Sequence, residues 1–219
     1  MERRMKNNIL LIGLGYFGMT VAKKLTEYKQ DVMAVDMSEE RVDMALPFVT
    51  NARIGNATDE KFVASLGVND YDFCIVGIGD DFLSSLQTTA FLKDYGAKYV
   101  VARATSDAQE KLLLRNGADR VVFPEKTLAA WTAIRFASNH IFDYLALDDQ
   151  FSIAEIDVPK RWVGKTVHEL DIRKLYHLNI IALKEDNVLI PGVDPTKPLT
   201  ANQRLVVLGR KENIDKCFQ

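Results

Sequence analysis

Gly13, Gly15 and Gly18 stand in G-x-G-x-x-G spacing within Asn8-Ile-Leu-Leu-Ile-Gly-Leu-Gly-Tyr-Phe-Gly18, between an apolar run and a helix-patterned segment. That spacing suits a backbone loop that cradles a pyrophosphate. The first glycine permits a tight turn, the second a close approach of backbone to anion, and the third close packing of helix on strand. The helix that follows adds free N–H groups and partial positive charge at its start. Glycines are common in turns, so the triplet needs a second feature: an acidic residue about 20 positions on, ending the next strand. Asp36, which closes Val32-Met-Ala-Val-Asp36, meets that requirement. A carboxylate there accepts from both ribose hydroxyls and repels a 2′-phosphate, which favours an unphosphorylated adenosine ribose. The competing role for Asp36 is as an acid ahead of the helix that opens at Ser38-Glu39-Glu40.

Other residues fall at corresponding places. Tyr16 and Phe17 lie inside the glycine loop, Met37 follows Asp36, Asn56 and Ala57 follow a third apolar run, and Gly77, Ile78 and Gly79 close a fourth. Ligands of open parallel sheets sit beyond the carboxyl ends of the strands, so all of these are candidates for one cofactor site. Asn56-Ala57-Thr58 and Gly77-Ile78-Gly79 also read as ordinary turn and cap residues.

The elements that must hold these residues follow from the hydrophobic periodicity. Strands are expected at 9–12, 31–35, 52–54, 73–77, 99–102 and 120–123, with helices at 17–28, 39–45, 59–66, 81–95 and 108–116 between them. Six strands with five crossovers predict an α/β fold, a Rossmann doubly wound parallel sheet, over residues 1–124. An amphipathic stretch from Leu128 to Leu145, apolar on more than one face and with no strand directly after it, predicts a linker helix within 125–149. A polar break at Asp148, Asp149 and Gln150 then opens a second, smaller α+β domain, 150–219. Its strands are expected at 152–158, 180–184, 187–190 and 204–208, its helix at 167–176, and a hairpin turn at Glu185-Asp186-Asn187.

Composition removes several function classes. The chain has 219 residues, 47% hydrophobic and 26% charged, as a folded globular protein requires. Its net charge of −2 lacks the basic excess of a phosphate-backbone binder, so nucleic acid is not an expected partner. No apolar run approaches the roughly 20 residues of a membrane span, and the charged stretch Met1 to Asn8 lacks the apolar core of a signal peptide, which predicts a cytoplasmic protein. Cys74 and Cys217 form neither a disulfide framework nor a zinc spacing. The main alternative function is an NAD-dependent oxidoreductase. Such an enzyme needs a positioned acid or base and a substrate cleft, yet His140, His168 and His177 all lie far along the chain from the glycine loop, in no catalytic constellation. The expectation is a protein that is not an enzyme.

Several blocks taken in order resemble a known family: Ile12-Gly-Leu-Gly-Tyr-Phe-Gly18, Ala34-Val-Asp36, Gly55-Asn-Ala-Thr-Asp59, Ile75-Val-Gly-Ile-Gly79, Gly117-Ala-Asp-Arg-Val-Val-Phe-Pro-Glu125, and Leu170-Asp-Ile-Arg173 through Leu178-Asn-Ile180. The array resembles the RCK family (TrkA-N/TrkA-C), the cytosolic regulators of potassium transport of the KtrA and TrkA kind, over nearly the whole chain. The resemblance implies dimers assembled into an octameric gating ring, attached to the inner face of the membrane through a Ktr or Trk potassium channel or transporter subunit. It implies ATP, ADP or NAD(H) as the sensed nucleotide. It places Arg103 near the phosphates and gives Glu125 a share in holding a divalent cation there; a surface arginine and a helix-start acid are the plain alternatives. It also implies a cyclic di-AMP site at Arg173, Asn179 and Ile180, residues that otherwise read as a solvated helix position, a turn and the start of a strand. KtrA-like proteins usually carry arginine where this chain has Tyr16, and a neutral phenol does not supply a guanidinium's charge to a terminal phosphate.

Overall fold

The structure is a computed structural model that describes residues 6–148 and 150–218; most of the charged N-terminal stretch, and Asp149 of the polar break, lie outside the described residues. The chain divides after Lys126 into two compact units.

The first unit alternates strand and helix throughout: β1 (Asn8–Ile12), α1 (Tyr16–Glu27), β2 (Asp31–Asp36), α2 (Glu39–Ala45), β3 (Asn51–Ile54), α3 (Glu60–Ala64), β4 (Phe73–Val76), α4 (Phe82–Asp94), β5 (Val100–Arg103), α5 (Asp107–Arg115) and β6 (Arg120–Val122). All pairs are parallel, in the order β3-β2-β1-β4-β5-β6, so the winding reverses between β1 and β4. The alternation of side chains along β1 explains its two-sided burial. Leu10 and Ile12 enter one core with Cys74, Val76, Leu92 and Leu113, while Leu11 enters another with Ala22, Ala34 and Val42. Side-chain caps start the helices where the turns end: Ser38 on α2, Asp59 on α3, Asp81 on α4 and Ser106 on α5 each accept a backbone N–H.

Helix α6 (Pro124–Ala137) begins after β6, and the unit boundary falls inside it. The remainder of the chain forms β7 (Ile141–Ala146), β8 (Phe151–Asp157), α7 (Val167–Leu170), α8 (Ile172–Leu175), β9 (Asn179–Glu185), β10 (Val188–Pro191), β11 (Arg204–Arg210) and α9 (Lys211–Lys216). Its strands make one antiparallel sheet, β10-β9-β11-β8-β7, over a core that includes Trp162, Leu178, Leu199 and Leu205. Asp186 and Asn187 both adopt positive φ in the two-residue turn between β9 and β10, the conformation such a hairpin requires. Glu155 on β8 is buried and accepts from Lys184 Nζ at 2.7 Å and Arg204 Nη1 at 2.9 Å. Burial alone pushes its carboxyl upward, but the two cations outweigh burial and hold it below the usual range.

Three expectations are corrected here. The apolar stretch to Leu145 is not one helix: α6 stops at Ala137, and β7 follows to pair with β8, which buries Ile141. The single helix expected at 167–176 breaks at Asp171, whose φ of 41° and ψ of 45° are left-handed. Helix α9 closes the chain where no element was expected, with Ile214 packed into the second core. No helix among the described residues is long and apolar enough to cross a membrane.

Candidate functional site

The reversal of strand order between β1 and β4 leaves a crevice at the carboxyl ends of the strands. A cavity of about 420 Å³ opens there. The glycine loop forms its floor with Gly13, Gly15 and Tyr16; Asp36, Met37 and Arg41 stand at one end; Asn56, Ala57 and Thr58 line one wall; and Gly77, Ile78 and Gly79 line another together with Arg103.

The three glycines of the loop differ in what requires them. Gly13 has φ of +92°, and a Cβ there would approach the Ile78 backbone nitrogen to 3.0 Å. Gly18 packs α1 onto the loop, since a Cβ on it would overlap the Gly13 carbonyl oxygen. Gly15 meets no such constraint: nothing lies within 4 Å of its ideal Cβ, so the space beside it faces the cavity. It also caps α1 without a side chain, and no acidic residue occupies the first turn of that helix. The exposed N–H groups at this end therefore suit an anion.

Asp36 is only 6% exposed. Its Oδ2 accepts the Leu14 N–H at 2.7 Å and its Oδ1 accepts the Ser38 N–H at 2.9 Å, so the carboxylate ties the glycine loop to the start of α2. A carboxylate offers about four lone-pair positions, which leaves acceptors for a ribose. Arg41 Nη1 lies 3.8 Å from Oδ2. Across the crevice Asp81 is held below the usual carboxyl range by the Ser84 hydroxyl and then by the Ser84 N–H.

The other expected residues take different places. Tyr16 is 93% exposed, and Met37 is exposed beside Asp36. Phe17 lies beneath Arg103, with the guanidinium 5.4 Å from its ring centroid. Arg103 ends β5 and pairs with Glu125, which opens α6 and so stands behind the cavity wall. The Arg103 Nε is buried and, among the described residues, has no hydrogen-bond partner. Arg173, Asn179 and Ile180 belong to the second unit: Arg173 and Asn179 are exposed, and Ile180 is half-buried against the second core. The three histidines also lie in the second unit, where His140 stacks on Phe218 at 4.4 Å. Sequence reasoning passed over Arg41, Asp80, Asp81 and Ser84 as lining residues. The signal for Arg41 was available, because it stands one helical turn beyond the Ser38 cap and so faces back toward Asp36.

Comparison with known proteins covers both units. The TrkA-N domain matches residues 9–124 and the TrkA-C domain matches residues 151–218. Ktr system potassium uptake protein C of Bacillus subtilis (strain 168) is 36% identical over 212 residues, spanning 97% of this chain and 96% of that protein. Ktr system potassium uptake protein A of the same organism is 31% identical, again over 97% of this chain and 96% of the relative. Among solved structures, the GsuK channel bound to NAD superposes with a TM-score of 0.68 at 21% identity, over 97% of this chain and 39% of that one.

Proposed function

Because this chain belongs to the TrkA-N and TrkA-C domain family, with Ktr potassium uptake proteins as full-length relatives, we propose that it is a nucleotide-sensing regulatory subunit of a potassium uptake system. The observation that carries this reading is the cavity at the strand-order reversal, where the Gly15 end of α1 and the part-used Asp36 carboxylate face the same space. An adenosine ribose would bond to Asp36, and ATP, ADP or NAD(H) would lay its phosphates against the start of α1 and Arg103. The protein would act through a difference in free energy between nucleotide states rather than through a chemical step.

The partner is a membrane potassium subunit of Ktr or Trk type, with the regulator on its cytoplasmic face. Dimers gathered into an octameric ring are what the family resemblance implies; α6, none of whose residues is buried, supports a contact surface between copies, with Leu128, Trp131 and Phe136 presenting apolar surface, although Trp131 Nε1 also donates to Asp143 at 3.1 Å. Among the described residues no three acidic, histidine or cysteine side chains group around a metal position. A divalent cation at Glu125 would therefore take its remaining ligands from nucleotide phosphates and water. The direct test is potassium uptake by cells that carry the membrane subunit with and without this chain: uptake that depends on the chain, and on a nucleotide-competent site within it, supports the reading, and uptake indifferent to the chain removes it.

Tyr16 sets an expectation for selectivity. Its exposed phenol offers no cation to a terminal phosphate, so ATP and ADP should bind within about tenfold of each other, and Tyr16→Arg should shift the preference toward ATP. Parallel titrations decide this; a wild-type preference for ATP near a hundredfold would assign selectivity to another group.

In the second unit, Arg173, Asn179 and Ile180 would offer a phosphate partner, an amide and an apolar surface to cyclic di-AMP at a two-fold interface between copies. Titration of the full chain with cyclic di-AMP should saturate in the micromolar range and weaken in Arg173→Ala and Asn179→Ala. No binding by the wild type would remove the site, and binding indifferent to both substitutions would move it elsewhere.

A further inference from the structure

The phosphate end of the cavity contains a cation that is already neutralised. Arg103 Nη2 donates to Glu125 Oε1, and the guanidinium is confined between the Phe17 ring and Gly79, where any Cβ would collide with it. The Arg103 side chain is 18% exposed and that of Glu125 54%, so the arginine is the enclosed member of the pair and the carboxylate the solvent-facing one. Arg41, the other arginine lining the cavity, likewise faces a carboxylate, that of Asp36.

We infer that Glu125 is a charge brake on phosphate binding: it neutralises Arg103, and a nucleotide's phosphates must compete with it for the guanidinium. The inference rests on the cavity being a nucleotide site, but it concerns how strongly that site distinguishes charged from uncharged ligands. A guanidinium already paired with a carboxylate gives less to a phosphate, because the phosphate gains the contact only by displacing Glu125, so the penalty falls on ligands that bind through their negative charge. Adenosine, which reaches Asp36 but carries no phosphate, sets the baseline. ADP feels the brake in full. Glutamine at position 125 keeps a carbonyl acceptor for Arg103 Nη2 and removes only the charge, so it releases the brake without releasing the arginine.

The experiment is calorimetric titration of the full chain with adenosine and with ADP, in chelator so that no divalent cation occupies Glu125. Glu125→Gln should raise the ratio of adenosine Kd to ADP Kd by about three- to tenfold, the range for a half-exposed charge close to its target. In an Arg103→Gln background the same substitution should change the ratio little, because the competition passes through the guanidinium. An unchanged ratio in Glu125→Gln overturns the brake. A lowered ratio overturns it too, and would make Glu125 a positioning residue that aims Arg103 at the phosphate. A gain of full size without Arg103 overturns the proposed route. Failure of the nucleotide reading looks different, since wild-type protein would then bind neither ligand before any variant is compared.

Discussion

Alanine at Gly18 is expected to disrupt the first unit, whereas alanine at Gly15, three residues earlier in the same loop, should leave the fold intact and weaken ligand binding. A Cβ on Gly18 would overlap the Gly13 carbonyl oxygen and stand 2.9 Å from the carbonyl carbon. Both atoms are backbone, and the Gly13 N–H is tied to the Val35 carbonyl at 2.8 Å, so relief requires α1 to lift off the sheet. Overpacking against rigid atoms costs about 3 kcal/mol at the upper end of its usual range. That corresponds to a fall of roughly 10 °C in the thermal midpoint of a unit this size. Gly15 has φ of −61°, which alanine adopts without strain, and open space where the Cβ would point. Gly15→Ala should therefore melt with the wild type while its methyl group obstructs phosphate at the start of α1. Thermal unfolding and ADP titration of both variants check the contrast. Equal midpoints for Gly18→Ala and wild type would show that the helix can shift freely, and unchanged ADP affinity in Gly15→Ala would place the phosphates elsewhere.

Asp36→Ala should weaken adenosine and ADP alike, by about 1.5–3 kcal/mol, which is roughly ten- to a hundredfold. The two ligands share the adenosine moiety and differ only in phosphate, so a common loss assigns the effect to the nucleoside end of the site and not to the phosphates. The substitution also strips acceptors from the Leu14 and Ser38 N–H groups, and a buried donor left unpaired costs about 1–3 kcal/mol of stability. Asp36→Asn separates the two consequences, because its amide oxygen still accepts one of those N–H bonds while the charge is gone. Pyrophosphate is the control for the loop: if the glycine loop keeps its shape, pyrophosphate affinity in Asp36→Asn stays close to that of the wild type. Adenosine affinity unchanged in both variants would leave Asp36 with a structural task alone.

Much of this site could be read from the sequence because its signals are local. The apolar run ending at Ile12, the glycine spacing and the acid closing β2 each depend on a few neighbouring residues, and the register of β1 beside β2 and β4 then brings them to one end of the sheet. The structural task of Asp36, as acceptor for Leu14 and Ser38, was less legible, since it depends on the exact path of the loop above the strand end. The Arg103 and Glu125 pair was hidden for a related reason. The two residues are 22 positions apart and meet only because β5 and β6 run parallel, with Arg103 beside Val122. In the second unit, β7 was concealed by composition: Ile141-Phe-Asp-Tyr-Leu-Ala continues the apolar content of α6, and only pairing with β8 decides for strand. The break at Asp171 was concealed in the same way, because Val167, Leu170 and Leu175 keep a helical spacing across a left-handed residue.

The measurement that tests the central claim most directly is titration of the wild-type full chain with ADP, followed by analysis of the recovered nucleotide. The account predicts saturable binding of one ADP per chain, lost or strongly weakened in Gly15→Ala, with the ADP recovered chemically unchanged. No binding at millimolar ADP by folded protein, or turnover of the nucleotide, would contradict it.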